Sequence, residues 1–578
     1  MKILGIHEGH LSTACLLEDG QILALASEER FNKKKNCGGF PGLTVEWLLK
    51  YTKTDPKDID FVALSGLIEP TVEIAEPSVR RSLFFKFAKL LPARLAGAAL
   101  WVKPYLAAFR PFRNFSGAQE FMAAAGIPAK KLRVTEHHQA HAASSYFSSG
   151  LGRGGEKTLV ITLDGSGDGL GGTVSIAVDG RLERIASLPS FHAPGELYTR
   201  TTMHLGMRPW DHEYKVMGMA PYGQGPGGER AYEKFKGYLK LSDDGLRIIN
   251  TASFGPALLD MINNDFKNIR FDYIAWGLQK RFEEVVLGFV KAWLKKTGLR
   301  RVCFGGGCFM NVKLNMLIDQ LPEVDKSFFM PSGGDESLAF GAAYLTYMDE
   351  NLRNGKAFAP IEPMKNLYLG PDYSEEEVLA SLNAFKAQGL IEYEKVASVE
   401  EKTAELVAKD CIVALFSGRM EWGARALGNR SIIANASNPK NLNKLNKAIK
   451  MRDFWMPFAP SMLADRQHDY IDNPKKSEAK FMVLAFPSLP AASRDIISAL
   501  HPMDLSCRPQ LVDETTNPKY CKILKSYEKL TGMGAFLNTS FNLHGDPIVN
   551  TPEDAVRTLL NSQLDYVVME NYLVWRKK

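Results

Sequence analysis

Thr158-Leu159-Val160-Ile161-Thr162-Leu163-Asp164-Gly165-Ser166-Gly167-Asp168-Gly169 is the stretch on which the fold turns. A short apolar and β-branched run ending in a carboxylate and a glycine-rich turn reads as a buried strand feeding a loop. Thr173 to Val178 reads as the next strand, Asp179-Gly180 as a hairpin turn, and Arg181 to Ile185 as the return. The same order stands at the N-terminus. Ile3–Ile6 is a strand, His7-Glu8-Gly9-His10-Leu11-Ser12 a polar loop, Thr13 to Leu17 a second strand, Asp19-Gly20 a turn and Ile22 to Ala26 a third strand. Two strand–loop–hairpin units predict a duplicated α/β fold.

The 578 residues suffice for two or three domains, and 45% hydrophobic with 24% charged residues is the composition of an ordinary globular chain. No apolar targeting segment follows Met1 and no run is long enough for a bilayer, so a cytoplasmic protein is expected. The seven scattered cysteines read as reduced thiols. The net charge of +6 is local: eight basic and no acidic residues lie between Arg80 and Arg113, which argues against a nucleic-acid partner. Aromatic residues interleave with those charges. The segment reads as a packed helical insertion with snorkelling Lys and Arg, as an acceptor lid, or as a membrane-surface contact.

Candidate chemistry gathers around Thr135-Glu136-His137-His138-Gln139-Ala140-His141, read as a helix start with Thr135 as its N-cap. His137 and His141 lie four apart, on one helical face, where two imidazoles either chelate one divalent metal or serve structure alone. Asp164 ends its strand, and Asp335 opens a helix at Leu338; either carboxylate could complete such a site. Val302 to Asn311 reads as a strand, the turn Gly305-Gly306-Gly307 and a helix start, which lets backbone approach a ligand. Glu213 to Ala220, with Lys215, suits the entry to a nucleotide cleft. Residues 355–364 form the best linker, dividing a region 1–354 from a region 365–578. In the latter, Gly418 to Ser431 sets arginines among glycines, and Lys450, Arg452, Arg508 and Asn538 follow. Such a set suits a small phosphorylated or carboxylated ligand held by forked hydrogen bonds.

These blocks together resemble the O-carbamoyltransferases of nodulation-factor and antibiotic-tailoring type, tobramycin carbamoyltransferase among them. The matching stretches include His10 to Leu16, Glu28 to Lys35, His137 to Ala142, Asp164-Gly165, Lys215 to Gly218, Gly306-Gly307 with Asn311, Asp335, Arg425 to Gly428, Lys450 to Pro460, Arg508 to Gln510 and Asn538 to Asn542. The resemblance implies an actin-like ATPase (ribonuclease-H-like) N-terminal domain, built as sugar kinases are, and an α/β YrdC-like C-terminal domain. It implies carbamoyl phosphate as donor, ATP with Mg2+, a carbamoyl-adenylate, and transfer to a hydroxyl of a natural product or sugar.

Carried over by position, the resemblance makes His137, His141, Asp164 and Asp335 metal ligands, with Fe(II) the expected ion although manganese or zinc would suit the same donors. His10 becomes the general base, with His7 a rival, and Lys35 a cation beside the activated carbamoyl group. Lys215, Gly306, Gly307 and Asn311 become the nucleotide set. Arg425, Lys450, Arg452, Arg508 and Asn538 become the carbamoyl-phosphate pocket. Met456 stands where the family often has Arg, and His544 where a basic residue is common. A homodimer is left open. Two other readings compete: a tRNA threonylcarbamoyl transferase-like enzyme, and a nucleotide-binding regulator without transfer chemistry.

Overall fold

Residues 2–27 form three consecutive antiparallel strands, β1 (Lys2–His7), β2 (Thr13–Glu18) and β3 (Gln21–Ser27), and β4 (Phe61–Ser65) and β5 (Leu132–Thr135) add in parallel beside β1. The sheet order is β3-β2-β1-β4-β5. Leu4, Ile6, Leu16, Val62 and Leu64 bury one face against Val45 and Leu48 of the helix Gly42–Tyr51. Fully burying each such side chain contributes roughly 1.5–3 kcal/mol. These strands belong to a computed structural model that describes residues 1–67, 116–356, 361–446, 449 and 453–577. The basic segment at 80–113, Lys450 and Arg452 lie outside the described residues.

A second sheet repeats the first. β6 (Thr158–Gly167), β7 (Leu170–Val178) and β8 (Arg181–Pro189) are antiparallel, β9 (Leu239–Leu241) and β10 (Ile248–Asn250) form a separate pair, and β11 (Arg301–Gly305) and β12 (Lys326–Phe329) run parallel beside β6. The order is β12-β11-β6-β7-β8, the same topology and polarity as the first sheet. The glycine-rich stretch after Leu163 is not a free loop. β6 continues through Asp164 to Gly167, the pairing register slips between Leu163 and Gly167, and the chain turns at Asp168-Gly169. A bulge of this kind bends the strand and re-aims a side chain.

The helix Leu338–Arg353 packs on β1 and β4, and the helix His137–Ser149 on β6 and β11. The two helices also pack on each other, with Gly341 so close that a Cβ there would sit 2.1 Å from the carbonyl oxygen of Ala140. Only glycine permits that approach, which brings the starts of both helices to one place. Thr135 is not the N-cap of His137–Ser149. It is held in β5 opposite Ser65, and the Glu136 carboxylate caps the helix by accepting from His138 N and Gln139 N.

The described chain divides into two compact units: Met1–Glu28 with Asn36–Met364, and Glu29–Lys35 with Lys365–Lys578. The second has one mixed eight-stranded sheet. Its strands are β13 (Ile391–Lys395), β14 (Val413–Phe416), β15 (Arg430–Ala434), β16 (Ala459–Leu463), β17 (Gln510–Val512), β18 (Ala535–Ser540), β19 (Tyr566–Met569) and β20 (Tyr572–Arg576), in the order β13-β20-β19-β14-β15-β18-β16-β17. Val407, Val413, Ile433, Tyr527 and Phe536 lie in its core. Among the described residues, no helix is long and apolar enough to cross a membrane.

Candidate active site

Four side chains from three elements converge in the first unit. His137 and His141 project from the first turns of their helix, Asp164 from the bulged end of β6, and Asp335 from the short 3-10 turn Asp335–Ser337 that precedes the helix Leu338–Arg353. One ligand atom from each lies within 4.8 Å of the others. His137 Nε2 is 3.2 Å from Asp164 Oδ2 and 3.7 Å from Asp335 Oδ1. His141 Nε2 is 3.6 Å from both carboxylates, beyond hydrogen-bond distance, and has no hydrogen-bond partner among the described residues although His141 is fully buried. Two imidazoles and two carboxylates are a donor set for a divalent first-row metal, and a buried nitrogen aimed between two carboxylates fits such an ion.

Charge in the cluster follows from its neighbours. Burial works to lower the His137 pKa, but Asp335, Asp164 and Asp168 outweigh it and hold the imidazole up at about 10. Burial would raise the carboxyl groups of Asp164 and Asp335, yet the two histidines hold both below the usual carboxylate range. His138, between the two, does not belong to the cluster. Its Nδ1 meets Thr162 Oγ1 at 3.0 Å, its Nε2 donates to Leu170 O at 3.1 Å, and burial lowers its pKa to about 3. It is a neutral core histidine.

Two carboxylates that sequence reasoning passed over hold the cluster in place. Asp168 accepts from His137 N at 2.8 Å and from Leu67 N, locking the bulged hairpin to the helix start. Glu136 caps the same helix. The glycine turn after β11 abuts Asp164: Gly306 has φ +96° and a Cβ there would meet Leu163 O at 2.3 Å, while Gly307 N donates to Asp164 Oδ1 at 3.2 Å. Asn311 accepts from Leu314 N as the cap of the helix Val312–Asp319, and its Nδ2 donates to Gln279 Oε1. Lys215 lies on the helix Glu213–Met219.

His7 and His10 stand at the end of β1. His7 is buried, its Nδ1 paired with Ser65 Oγ at 2.8 Å and its Nε2 donating to His10 O at 3.1 Å; burial lowers its pKa to about 4. It is neutral and tied on both nitrogens. His10 is half-buried, with Nε2 3.2 Å from Trp210 O. A carbonyl can only accept, so Nε2 is the nitrogen that donates, and in the neutral tautomer this selects the lone pair lies on Nδ1.

The second unit gathers a different set. Arg425, partly exposed, sits in the loop between β14 and β15. Fully buried Arg430 donates to Ser417 O, Gly418 O and Asn429 O, tying the two ends of that loop, and its guanidinium lies 3.8 Å from the centre of the Phe416 ring. Glu421 Oε1 accepts from Leu427 N at 2.6 Å and from Arg430 N at 3.2 Å. Beneath the loop, Asn538 Nδ2 donates to Ala426 O at 3.1 Å, and Gln510 Nε2 to Leu427 O at 2.7 Å. Arg508 donates to Met482 O. The segment carrying Lys35 is bound here as well: Arg30 Nη2 donates to Gly423 O at 2.9 Å, and Lys33 pairs with Asp554. Lys35, Arg425, Arg508 and Asn538 are thus all in the second unit, whereas His10 and the His/Asp cluster are in the first.

Residues 2–344 match the family model "Carbamoyltransferase N-terminus", and residues 404–576 match "Carbamoyltransferase C-terminus". The nodulation protein NolNO of Sinorhizobium fredii is 31% identical over 98% of this chain and 79% of its own length. The nodulation protein NolO of Bradyrhizobium diazoefficiens is 31% identical over 76% of this chain and 79% of its own length. An uncharacterized protein of Methanocaldococcus jannaschii is 30% identical over the full length of both. Among solved structures, full-length HypF in its phosphate- and nucleotide-bound form gives a TM-score of 0.32 at 15% identity, over 61% of this chain and 55% of that one, a likeness too slight to bear on the arrangement. Since the N-terminal family model covers more than half of the chain and a relative at 31% identity covers nearly all of it, the protein belongs to the carbamoyltransferase family and is a transferase enzyme.

Proposed function

We propose that this carbamoyltransferase is ATP-dependent, takes carbamoyl phosphate as donor, and carbamoylates a hydroxyl of a small natural product or sugar. The observation that carries the reading is the convergence of His137, His141, Asp164 and Asp335 beside the Gly306–Gly307 turn, within a unit built of two repeated sheets. That repeat supports an actin-like ATPase reading of the first unit, and the mixed sheet of the second is compatible with a YrdC-like one.

In the second unit, Arg425, Arg508 and Asn538, with Lys450 and Arg452, would bind carbamoyl phosphate, and hydrolysis there would yield carbamate and phosphate. Carbamate attacks the α-phosphorus of ATP, giving carbamoyl-adenylate and pyrophosphate. The backbone of Gly306 and Gly307, with Lys215 and Asn311, would hold the nucleotide. His10 would take the acceptor's proton on Nδ1 as the hydroxyl oxygen attacks the carbamoyl carbon, and the bond to AMP breaks. His137, His141, Asp164 and Asp335 would hold a divalent ion, iron by family likeness, which when bound supplies fixed positive charge beside the transferring group.

The test is pyrophosphate release from ATP with carbamoyl phosphate present and absent, on metal-loaded protein. Release that requires carbamoyl phosphate supports the reading; none overturns it. His10→Asn should keep pyrophosphate release and lose carbamoylation of the acceptor.

A further inference from the structure

His7 stands at the end of β1, is 3% exposed, and uses both of its ring nitrogens. The His10 carbonyl, 3.1 Å from Nε2, can only accept, so Nε2 donates to it. Burial lowers the His7 pKa to about 4 and keeps the ring neutral. In the neutral ring Nδ1 is then the acceptor, and Ser65 Oγ, 2.8 Å away at the end of β4, donates to it. Ser65 thereby selects the tautomer that aims an N–H at the His10 carbonyl.

The same Nε2 lies 4.0 Å from Asp335 Oδ2, whereas Asp335 Oδ1 is 3.7 Å from His137 Nε2 and 3.6 Å from His141 Nε2. Asp335 turns one oxygen to the cluster and the other to His7. The loop between β1 and β2 has its two ends pinned elsewhere. Glu8 O accepts from Gly39 N at 2.9 Å, Glu8 Oε1 accepts from Ala118 N at 2.6 Å, and Ser12 Oγ donates to Gly39 O at 2.6 Å. Its middle abuts the cluster. Leu11 has φ +63°, and a Cβ on Gly334, the neighbour of Asp335, would lie 3.3 Å from Leu11 Cδ1.

We propose that His7 is a positioning residue that fixes the His10 loop against Asp335, so that the ion site and the base keep one separation. The inference deepens the carbamoyl-transfer reading and rests on His10 as base and the His/Asp cluster as ion site. It also removes His7 as a rival base, because Ser65 occupies its lone pair and its N–H is already given to His10. An outer partner of this kind orients a ligand of the ion without touching the ion. An ion held by Asp335 Oδ1 fixes the carboxylate, and with it the oxygen that faces His7. Occupancy of the cluster is therefore felt at the His10 backbone through one imidazole.

Amide exchange over residues 8–12 of the full-length protein, with and without Mn(II), tests this. His7→Leu removes both hydrogen bonds. The amide nitrogen of His7→Gln reaches the place of Nε2, and the amide of His7→Asn reaches only that of Nδ1. Without the ion, exchange should quicken roughly 5-fold in the Leu and Asn variants, the scale of one lost hydrogen bond, and stay near wild type in the Gln variant. Mn(II) at saturation should slow exchange of the loop in wild type and His7→Gln but not in His7→Leu. Ser65→Ala removes only the donor that sets the tautomer, and it decides the matter if His7→Leu fails to fold: its loop should also exchange faster and answer Mn(II) less. Loop exchange unchanged in Ser65→Ala, a Mn(II) response in His7→Leu equal to wild type, or rescue by Asn but not by Gln would each overturn the proposal. The measurement uses neither ATP nor carbamoyl phosphate. A wild type that shows no Mn(II) thermal shift would sink the ion reading, and one without carbamoyl-phosphate-dependent pyrophosphate release the ATP mechanism, while exchange in the ion-free variants still decides the tether.

Discussion

At the scale of single residues, the sharpest feature is His141. Its Nε2 is buried and has no hydrogen-bond partner among the described residues, a situation that costs about 1–3 kcal/mol. Two carboxylates stand 3.6 Å away without reaching it. An ion between these groups would remove the cost, so adding Mn(II) or Fe(II) alone should raise the melting temperature. At a hundredfold excess over Kd the gain is about 2.7 kcal/mol. His141→Ala and Asp335→Asn should each blunt that shift and weaken the metal by at least ~10–100-fold in competition with a chromophoric chelator. A thermal shift equal to wild type in both variants would mean the cluster is only an ion-paired core. Helical spacing put His137 and His141 on one face, and a carboxylate at a strand end was readable as a donor. The supports were not readable. Asp168 reaches His137 N only because β6 bulges, and Trp210 meets His10 across 200 residues of chain.

Among the elements, the helix Pro552–Leu560 shows how a cap can serve two purposes. Thr551 and Asp554 form a reciprocal capping box, Asp554 also accepts from Asn550 N at 3.0 Å, and Lys33 pairs with the same carboxylate. Burial works to raise the Asp554 pKa, but the Lys33 hydrogen bond and the backbone donors outweigh it and lower the pKa. A depressed folded pKa gives stability that is present above the unfolded value near ~3.9 and lost as pH falls through the folded one. Lys33 is 44% exposed, so its own share is at most about 1 kcal/mol, and the cap adds a similar amount. Asp554→Ala should therefore lower stability by roughly 1–2 kcal/mol at pH 7 in chemical denaturation. The gap from wild type should close in acid, below the folded pKa. A gap independent of pH would show that the charge contributes nothing. Element types were largely legible: β1, β2, β3 and β7 fall where the apolar runs stand. The cap on His137–Ser149 was misread because Thr135 is claimed by β5, and pairing with β4 decides that competition, not local sequence.

For the whole molecule, the duplicated hairpins foretold the repeat of two five-stranded sheets, since strand, turn and hairpin recur with the same punctuation in both halves. What local pattern could not foretell is the allegiance of Glu29–Lys35. Its chain neighbours on both sides belong to the first unit, yet it packs as part of the second. Nothing in that run differs from an ordinary basic helix end. Remote partners hold it there, the Gly423 carbonyl for Arg30 and the Asp554 carboxylate for Lys33 among them. Arg30 is buried, so its hydrogen bond is shielded from water and is worth more than the exposed ion pair. This clamp borders the loop that carries Arg425, which makes residues 29–35 a structural part of that loop's floor. A protease site inserted after Lys356 tests the point. Once cut, the fragment that begins beyond residue 356 should still co-elute with residues 1–356 on native gel filtration, because it retains the binding place for Glu29–Lys35. Arg30→Ala combined with Lys33→Ala should promote separation of the cut pieces and speed amide exchange across residues 418–429 in the uncut chain. Exchange in that loop unchanged from wild type would show that the segment merely passes by.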